Sequence, residues 1–129
     1  MRVTITSAES SGDRTRVLFS SEKGEGCAYW CGPPPIPGVT YFAELDSDDA
    51  LIFGENATAL NHFAEVLSVS ESGTIRICGK LAVVTKEGTG IFHIGDGQIE
   101  LDLVDPTPWN VGLHYELQLS SVTLFDQNY

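Results

Sequence analysis

The sequence predicts an all-β protein, a single small barrel or sandwich of about eight short antiparallel strands over residues 1–129, with at most one short helix. Three observations support this prediction. Apolar and polar residues alternate with a period of two in segments 39–45, 98–103 and 113–119, as in strands with one buried face. Glycine-containing turn signals separate successive segments. The chain has 129 residues and is 42% hydrophobic, so we expect one domain with a substantial core.

In the N-terminal half, we expect strands near residues 2–6, 14–20 and 38–46. Residues 21–37 are predicted to form a loop, because the three consecutive prolines at 33–35 cannot donate hydrogen bonds inside a sheet. Asn56 could cap a short helix that runs to His62, and a simple turn is the alternative.

In the C-terminal half, residues 63–125 are predicted to form a meander of about five strands. Turns are expected at Glu71-Ser72-Gly73, at 87–90 and at 95–97, and a proline-stiffened loop at 105–110. The long apolar segment 74–85 has Gly79 in its middle, which predicts a bulge or a sharp bend there.

Segments 38–53 and 112–125 share a weak pattern in which Gly, Tyr, Leu and Ser recur at the same offsets. Two similar half-barrels that arose by duplication would explain it. Two edge strands under similar packing rules would explain it without duplication, and we favour this explanation because two matching elements are fewer than a repeat architecture normally shows.

The C-terminal meander resembles an oligonucleotide/oligosaccharide-binding barrel. The resemblance lies in Gly79-Lys80-Leu81 at the start of a long strand, the hairpin 92–103, and the strand start at 112–115. It implies a five-stranded barrel with a binding face on its middle strands. Nucleic-acid-binding members use a basic groove with stacking aromatic residues, whereas this hairpin carries Glu100 and Asp102.

Charge is the clearest functional signal in the chain. Its 18 acidic and 7 basic residues give a formal charge of −11. Such a chain is expected to bind neither nucleic acid nor an anionic membrane, and to attract a basic protein partner. No apolar run approaches the roughly 20 residues that cross a bilayer, and the N-terminus lacks a secretion signal, so we expect a cytoplasmic protein.

No motif in the sequence predicts catalysis, a cofactor or a metal. Trp30-Cys31-Gly32-Pro33-Pro34 resembles the thioredoxin active-site string, but a proline stands where the second thiol is needed. The odd cysteine count (Cys27, Cys31 and Cys78) argues against a disulfide framework, and the histidines are not spaced as paired zinc ligands. The acidic run at 46–49 lacks the Gly and Glu positions of a calcium loop.

We therefore expect a non-catalytic acidic binding protein that neutralises a basic partner, as an immunity protein or inhibitor of a nuclease-like toxin or nucleic-acid-handling enzyme does. The alternative is a barrel-like accessory subunit that binds other proteins or a sugar. The partner-binding residues are expected to be outward carboxylates on strands, loop carboxylates and two aromatic anchors in proline-rich loops. They are Glu100, Asp102 and Glu116; Asp46, Asp48 and Asp49; and Trp30 and Trp109.

Overall fold

A computed structural model describes residues 1–70 and 72–127 of the chain. These residues form twelve strands and no helix, which confirms the all-β prediction with more strands than the eight expected. The strands are β1 (Arg2–Ser11), β2 (Arg14–Ser21), β3 (Gly24–Cys31), β4 (Thr40–Asp46), β5 (Ala50–Leu51), β6 (Ala57–Leu60), β7 (Val66–Val69), β8 (Ile75–Val84), β9 (Thr89–Ile94), β10 (Gly97–Leu103), β11 (His114–Leu119) and β12 (Thr123–Asp126). Most pairings are antiparallel, but β3–β7, β3–β12 and β5–β10 are parallel.

Five of these strands close into a barrel. Around it, β1 pairs with β2, β2 with β3, β3 with β12, β12 with β4, and β4 with β1. The resemblance implied a barrel of this size. However, the closed barrel consists of the N-terminal strands and the last strand, not of the meander in which the resemblance was found.

A second unit repeats four of these five pairings. In it, β8 pairs with β9, β9 with β10, β10 in parallel with β5, and β11 with β8, while β11 pairs on its other side with β6 instead of β5. The irregularities match as well. A bulge falls in β1 just after Ile5, which pairs with Phe19, and in β8 just after Leu81, which pairs with Phe92. The two units therefore correspond residue by residue along these strands.

Hydrogen bonds outside the strands repeat in the same way. Ile5 donates its N–H to the Val39 carbonyl as Leu81 does to Leu113. The Tyr41 hydroxyl accepts the Ile36 N–H at 2.9 Å, and the Tyr115 hydroxyl accepts the Asn110 N–H at 2.8 Å. Similar packing of two edge strands would not reproduce a bulge, a loop and a tyrosine hydrogen bond together. The repeat seen in the sequence is thus better explained by duplication.

The two units exchange a strand. After β4 of the first unit, the chain crosses to the second unit, where β5 pairs with β10. After β11 of the second unit, it crosses back, and β12 completes the first barrel. The crossings are tied together, because Ser47 Oγ donates to the Ser121 carbonyl at 2.7 Å. Asp49 accepts hydrogen bonds from the N–H and the hydroxyl of Ser120. The buried apolar residues of both units form one cluster.

Three local predictions were wrong. Residues 24–31 form β3, between β2 on one side and β7 and β12 on the other, instead of a loop. Residues 57–60 form β6 instead of the helix, whereas the alternative of a turn is found at Asn56, which accepts the Ile52 N–H. The bulge in β8 lies between Leu81 and Val83 instead of at Gly79. The predicted turn at 71–73 has Gly73 at a φ of 87°, and Glu71 lies outside the described residues.

Candidate functional site

An acidic groove of about 540 Å³ lies between β4 of the first unit and β10 of the second. Both strands alternate buried and exposed residues, so every second side chain faces solvent. On β4 these outward positions include Glu44 and Asp46, and on β10 they include Glu100. Asp96, in the turn before β10, and Met1 also line the groove.

The described part of the chain offers the groove carboxylates no ion-pair partner. Its two ion pairs, Lys23–Glu65 and Arg76–Glu116, both lie outside the groove lining. The Glu44 carboxylate accepts a hydrogen bond from the neutral amide of Gln127 at 3.2 Å, which leaves its charge uncompensated. Asp96 also borders a smaller cavity whose lining includes cationic side chains, so we centre the site on Glu44, Asp46 and Glu100. Their charges are available to an incoming cation.

Three other carboxylates that were predicted to bind the partner lie outside this groove. Asp102 is exposed on the same face of β10 as Glu100, about 7 Å further along the strand, and its carboxylate accepts a long hydrogen bond from Thr89. Asp48 is exposed in the loop after β4. Asp49 holds Ser120 at the strand crossing, so it is occupied within the chain.

Glu116 has a partner within the chain. It lies on β11 and forms a hydrogen-bonded ion pair with Arg76 of the neighbouring strand β8. The hydrogen bond to Glu116 raises the pKa of the Arg76 guanidinium above its usual value. Glu116, which the sequence analysis predicted as a partner-binding carboxylate, is thus paired within the chain, so we do not include it in the groove site.

Neither tryptophan is available as a surface anchor. Trp30 and Trp109 are each only 6% exposed. Trp30 belongs to β3, packs edge-on against Tyr41 and donates its indole N–H to the Pro33 carbonyl at 2.9 Å. Trp109 folds back from its loop onto the aromatic rings of Phe92 and Tyr115. Both rings are thus buried, although only Trp109 lies in a loop.

Within residues 1–70 and 72–127, no cluster of three or more His, Cys, Asp or Glu side chains is arranged to hold a metal ion. The groove carboxylates are therefore distributed along two strands and do not converge on one point. Of the cysteines, Cys31 is exposed while Cys27 and Cys78 are buried. Burial raises the pKa of the Cys78 thiol, which keeps it protonated and unreactive at neutral pH.

The surface between β11 and β3 corresponds to the groove between β4 and β10, but it carries neutral residues in place of the carboxylates. Matching registers place Gln118 of β11, and Ser120 just after β11, where Glu44 and Asp46 stand on β4. Likewise, Cys27 of β3 stands where Glu100 stands on β10. A cavity of only about 70 Å³ lies there, lined in part by Cys27, Ser120 and Arg16. The acidic groove is therefore specific to one side of the molecule.

Comparison with protein-family models, with curated proteins and with solved structures gives no match to this chain. The groove itself is the basis for assigning a function. None of the described residues belongs to a helix that could span a bilayer.

Sequence reasoning identified Asp46 and Glu100 but not that they face one groove. Glu44 was missed as a site residue, although its outward position in the alternating segment 39–45 could have marked it. The packing of β4 against β10 brings together strands that are far apart in the chain, and no local sequence pattern predicts it.

Proposed function

We propose that this protein is a non-catalytic binding protein that neutralises a basic protein partner, and that the acidic groove receives a cationic part of that partner. One observation carries the proposal. Glu44, Asp46 and Glu100 line a single concave surface, in a chain of formal charge −11, with no intrachain cation paired to them among the described residues.

The physical basis is charge complementarity. Like charges held together in a groove focus the field and attract a cationic partner, which raises the association rate and disfavours other partners. A partner that handles nucleic acid has the required cationic surface, because it must neutralise phosphates. We therefore infer a role as an immunity protein or inhibitor of a nuclease-like toxin or related enzyme, with the carboxylates in the place of phosphates.

The test compares two variants with the same loss of charge. The groove variant carries Glu44→Gln, Asp46→Asn and Glu100→Gln. The control variant carries Asp13→Asn, Glu55→Gln and Glu87→Gln at exposed positions away from the groove. Wild-type protein would first be used to capture its partner from the source cells, and binding kinetics would then be measured with that purified partner.

We expect the groove variant to associate on the order of tenfold more slowly at low salt, with a flatter salt dependence, and the control variant to stay within about threefold of wild type. Equal effects of the two variants would mean that net charge alone acts. Unchanged kinetics in the groove variant would remove the groove from the interface.

A further inference from the structure

The first unit contains an internal example of a strand that docks at the end of β3. There, β7 runs parallel to β3 with Leu67 beside Gly24, and the Leu67 N–H donates to the Lys23 carbonyl at 2.7 Å. The same strand pairs antiparallel with β8, where Leu67 faces Ile77. β7 thus bridges the third strand of one unit and the first strand of the other.

The corresponding position in the second unit lies along the acidic groove. The matching registers place Gly97 of β10 where Gly24 stands, and Met1 where Ile77 stands. Gly97 and Met1 both line the groove. Within the described residues, β10 pairs along this edge only at Asp102 and Leu103, with β5.

Backbone directions show which groups this edge presents. Val104 donates its N–H to Leu51, on the β5 side, whereas Leu103 donates to Gly88, on the opposite side. Alternate residues of a strand direct their N–H and C=O groups to the same edge, so those of Gln98 and Glu100 face the groove. An edge of this kind is a template for pairing with another chain.

The open stretch has defined ends. At one end, the Met1 side chain lies against Gly97, and its amino group is held by the Ala43 carbonyl at 2.9 Å. At the other end, Ala50 pairs with Asp102. The stretch from Gly97 to Asp102 is about 17 Å long at the rise of a strand, which suits a guest segment of four or five residues.

We infer that this edge of β10 is a strand-docking site, and that it takes an extended basic segment of the partner, parallel to β10 as β7 is to β3. The inference rests on the proposed function and specifies how the partner binds. Guest side chains on one face repeat at about 7 Å, the same spacing that separates Glu44 from Asp46 on the facing strand. Backbone pairing supplies affinity and the alternating lysine or arginine side chains supply specificity.

The test uses a capped pentapeptide, Lys-Val-Lys-Val-Lys, as the probe for the full-length chain. Two further peptides are methylated on backbone nitrogen atoms. The first carries N-methyl groups on its three lysine residues, and the second carries them on its two valine residues. All three peptides have the same charge and side chains. Because only alternate N–H groups can reach β10, methylation should abolish pairing in one of the two methylated peptides and spare the other.

We expect the two methylated peptides to differ at least tenfold in Kd, with amide shifts at Gln98 and Glu100 on titration of the unmethylated peptide and the tolerated one. If all three peptides bind with equal Kd, and the groove variant binds each of them more weakly, strand docking is overturned and the charge-based function still stands. Absence of shifts at Gln98 and Glu100 at millimolar peptide would also overturn it. Binding that the groove variant does not weaken would instead count against the proposed function.

Discussion

The two units share four of five strand pairings, their bulges and their loop hydrogen bonds, yet they differ where each packs against the other. Beside the first unit's third strand, β7 supplies a neighbour to Gly24. Beside the second unit's third strand, the matching place is a groove. Because the two units are so similar, features that both need for folding are expected in both. A groove that occurs in only one unit is therefore not explained by folding alone.

Charge follows the same division. Two of the three central carboxylates of the groove correspond to the neutral Gln118 and Ser120 in the other half, and Glu100 corresponds to a buried cysteine. A protein that needed acidity only for solubility would have no reason to concentrate it at one of two equivalent seams. The asymmetry therefore favours a recognition surface at the acidic seam.

The largest expected effect tests whether the two units depend on each other. Leu124 of β12 and Leu51 of β5 are fully buried, and each lies in the unit to which the chain has crossed. Truncating either to alanine should lower the free energy of unfolding by about 2–5 kcal/mol, because each leaves a cavity in the shared core. Both variants should unfold in one transition during chemical denaturation followed by circular dichroism.

Val104→Ala is the matched control for this pair, because Val104 is 62% exposed and should change stability by less than about 0.5 kcal/mol. Two separate transitions in either leucine variant would show that the two units unfold independently. The units would then be two folding domains instead of one.

A smaller effect should separate the two equivalent glycines. Gly24 has a φ of 133°, and a Cβ there would come within 1.9 Å of the Leu67 carbonyl oxygen, so Gly24→Ala should cost about 1–3 kcal/mol. A Cβ at Gly97 would come within 2.8 Å of the Met1 Cβ, which would have to shift, but Gly97 has no positive φ and its Cβ would stay 3.5 Å from the nearest backbone oxygen, that of Ile94. Gly97→Ala should therefore cost less than Gly24→Ala, about 1 kcal/mol. Thermal unfolding of the two variants measures the difference. Equal losses would mean that the groove end is as tightly packed as the β7 contact.

The smallest effect concerns Glu116 and the contrast between a paired and an unpaired carboxylate. Glu116→Gln should cost up to about 1 kcal/mol, because the pair with Arg76 is partly exposed to solvent, and the loss should shrink as salt is added. Glu100→Gln should leave stability within about 0.5 kcal/mol of wild type. Denaturation at low and high salt checks both. A larger loss at Glu100 would show that Glu100 has an intramolecular role.

Period-two alternation was enough to predict the fold class and most strands, since it reports the buried face directly. It failed at β3, where Gly24, Gly26 and the cysteines weaken the apolar pattern, and prolines at 33–35 suggested a loop that begins too early. Both tryptophans were predicted to be partner-binding anchors held in proline-rich loops, yet Trp30 lies in β3 and both rings are buried. The groove could not be predicted, because it depends on long-range packing of β4 against β10.

The exchanged last strand also constrains how this protein is made. The first barrel needs β12, which pairs with β3 and β4 from the opposite end of the chain. During synthesis from the N-terminus, this barrel therefore stays open until residues 123–126 emerge from the ribosome. Such long-range closure slows folding, because the entropy of the large loop must be lost before the contacts form. Until then, the edges of β3 and β4 that β12 will cover remain open to other chains, so their protection in the cell depends on how quickly β12 reaches them.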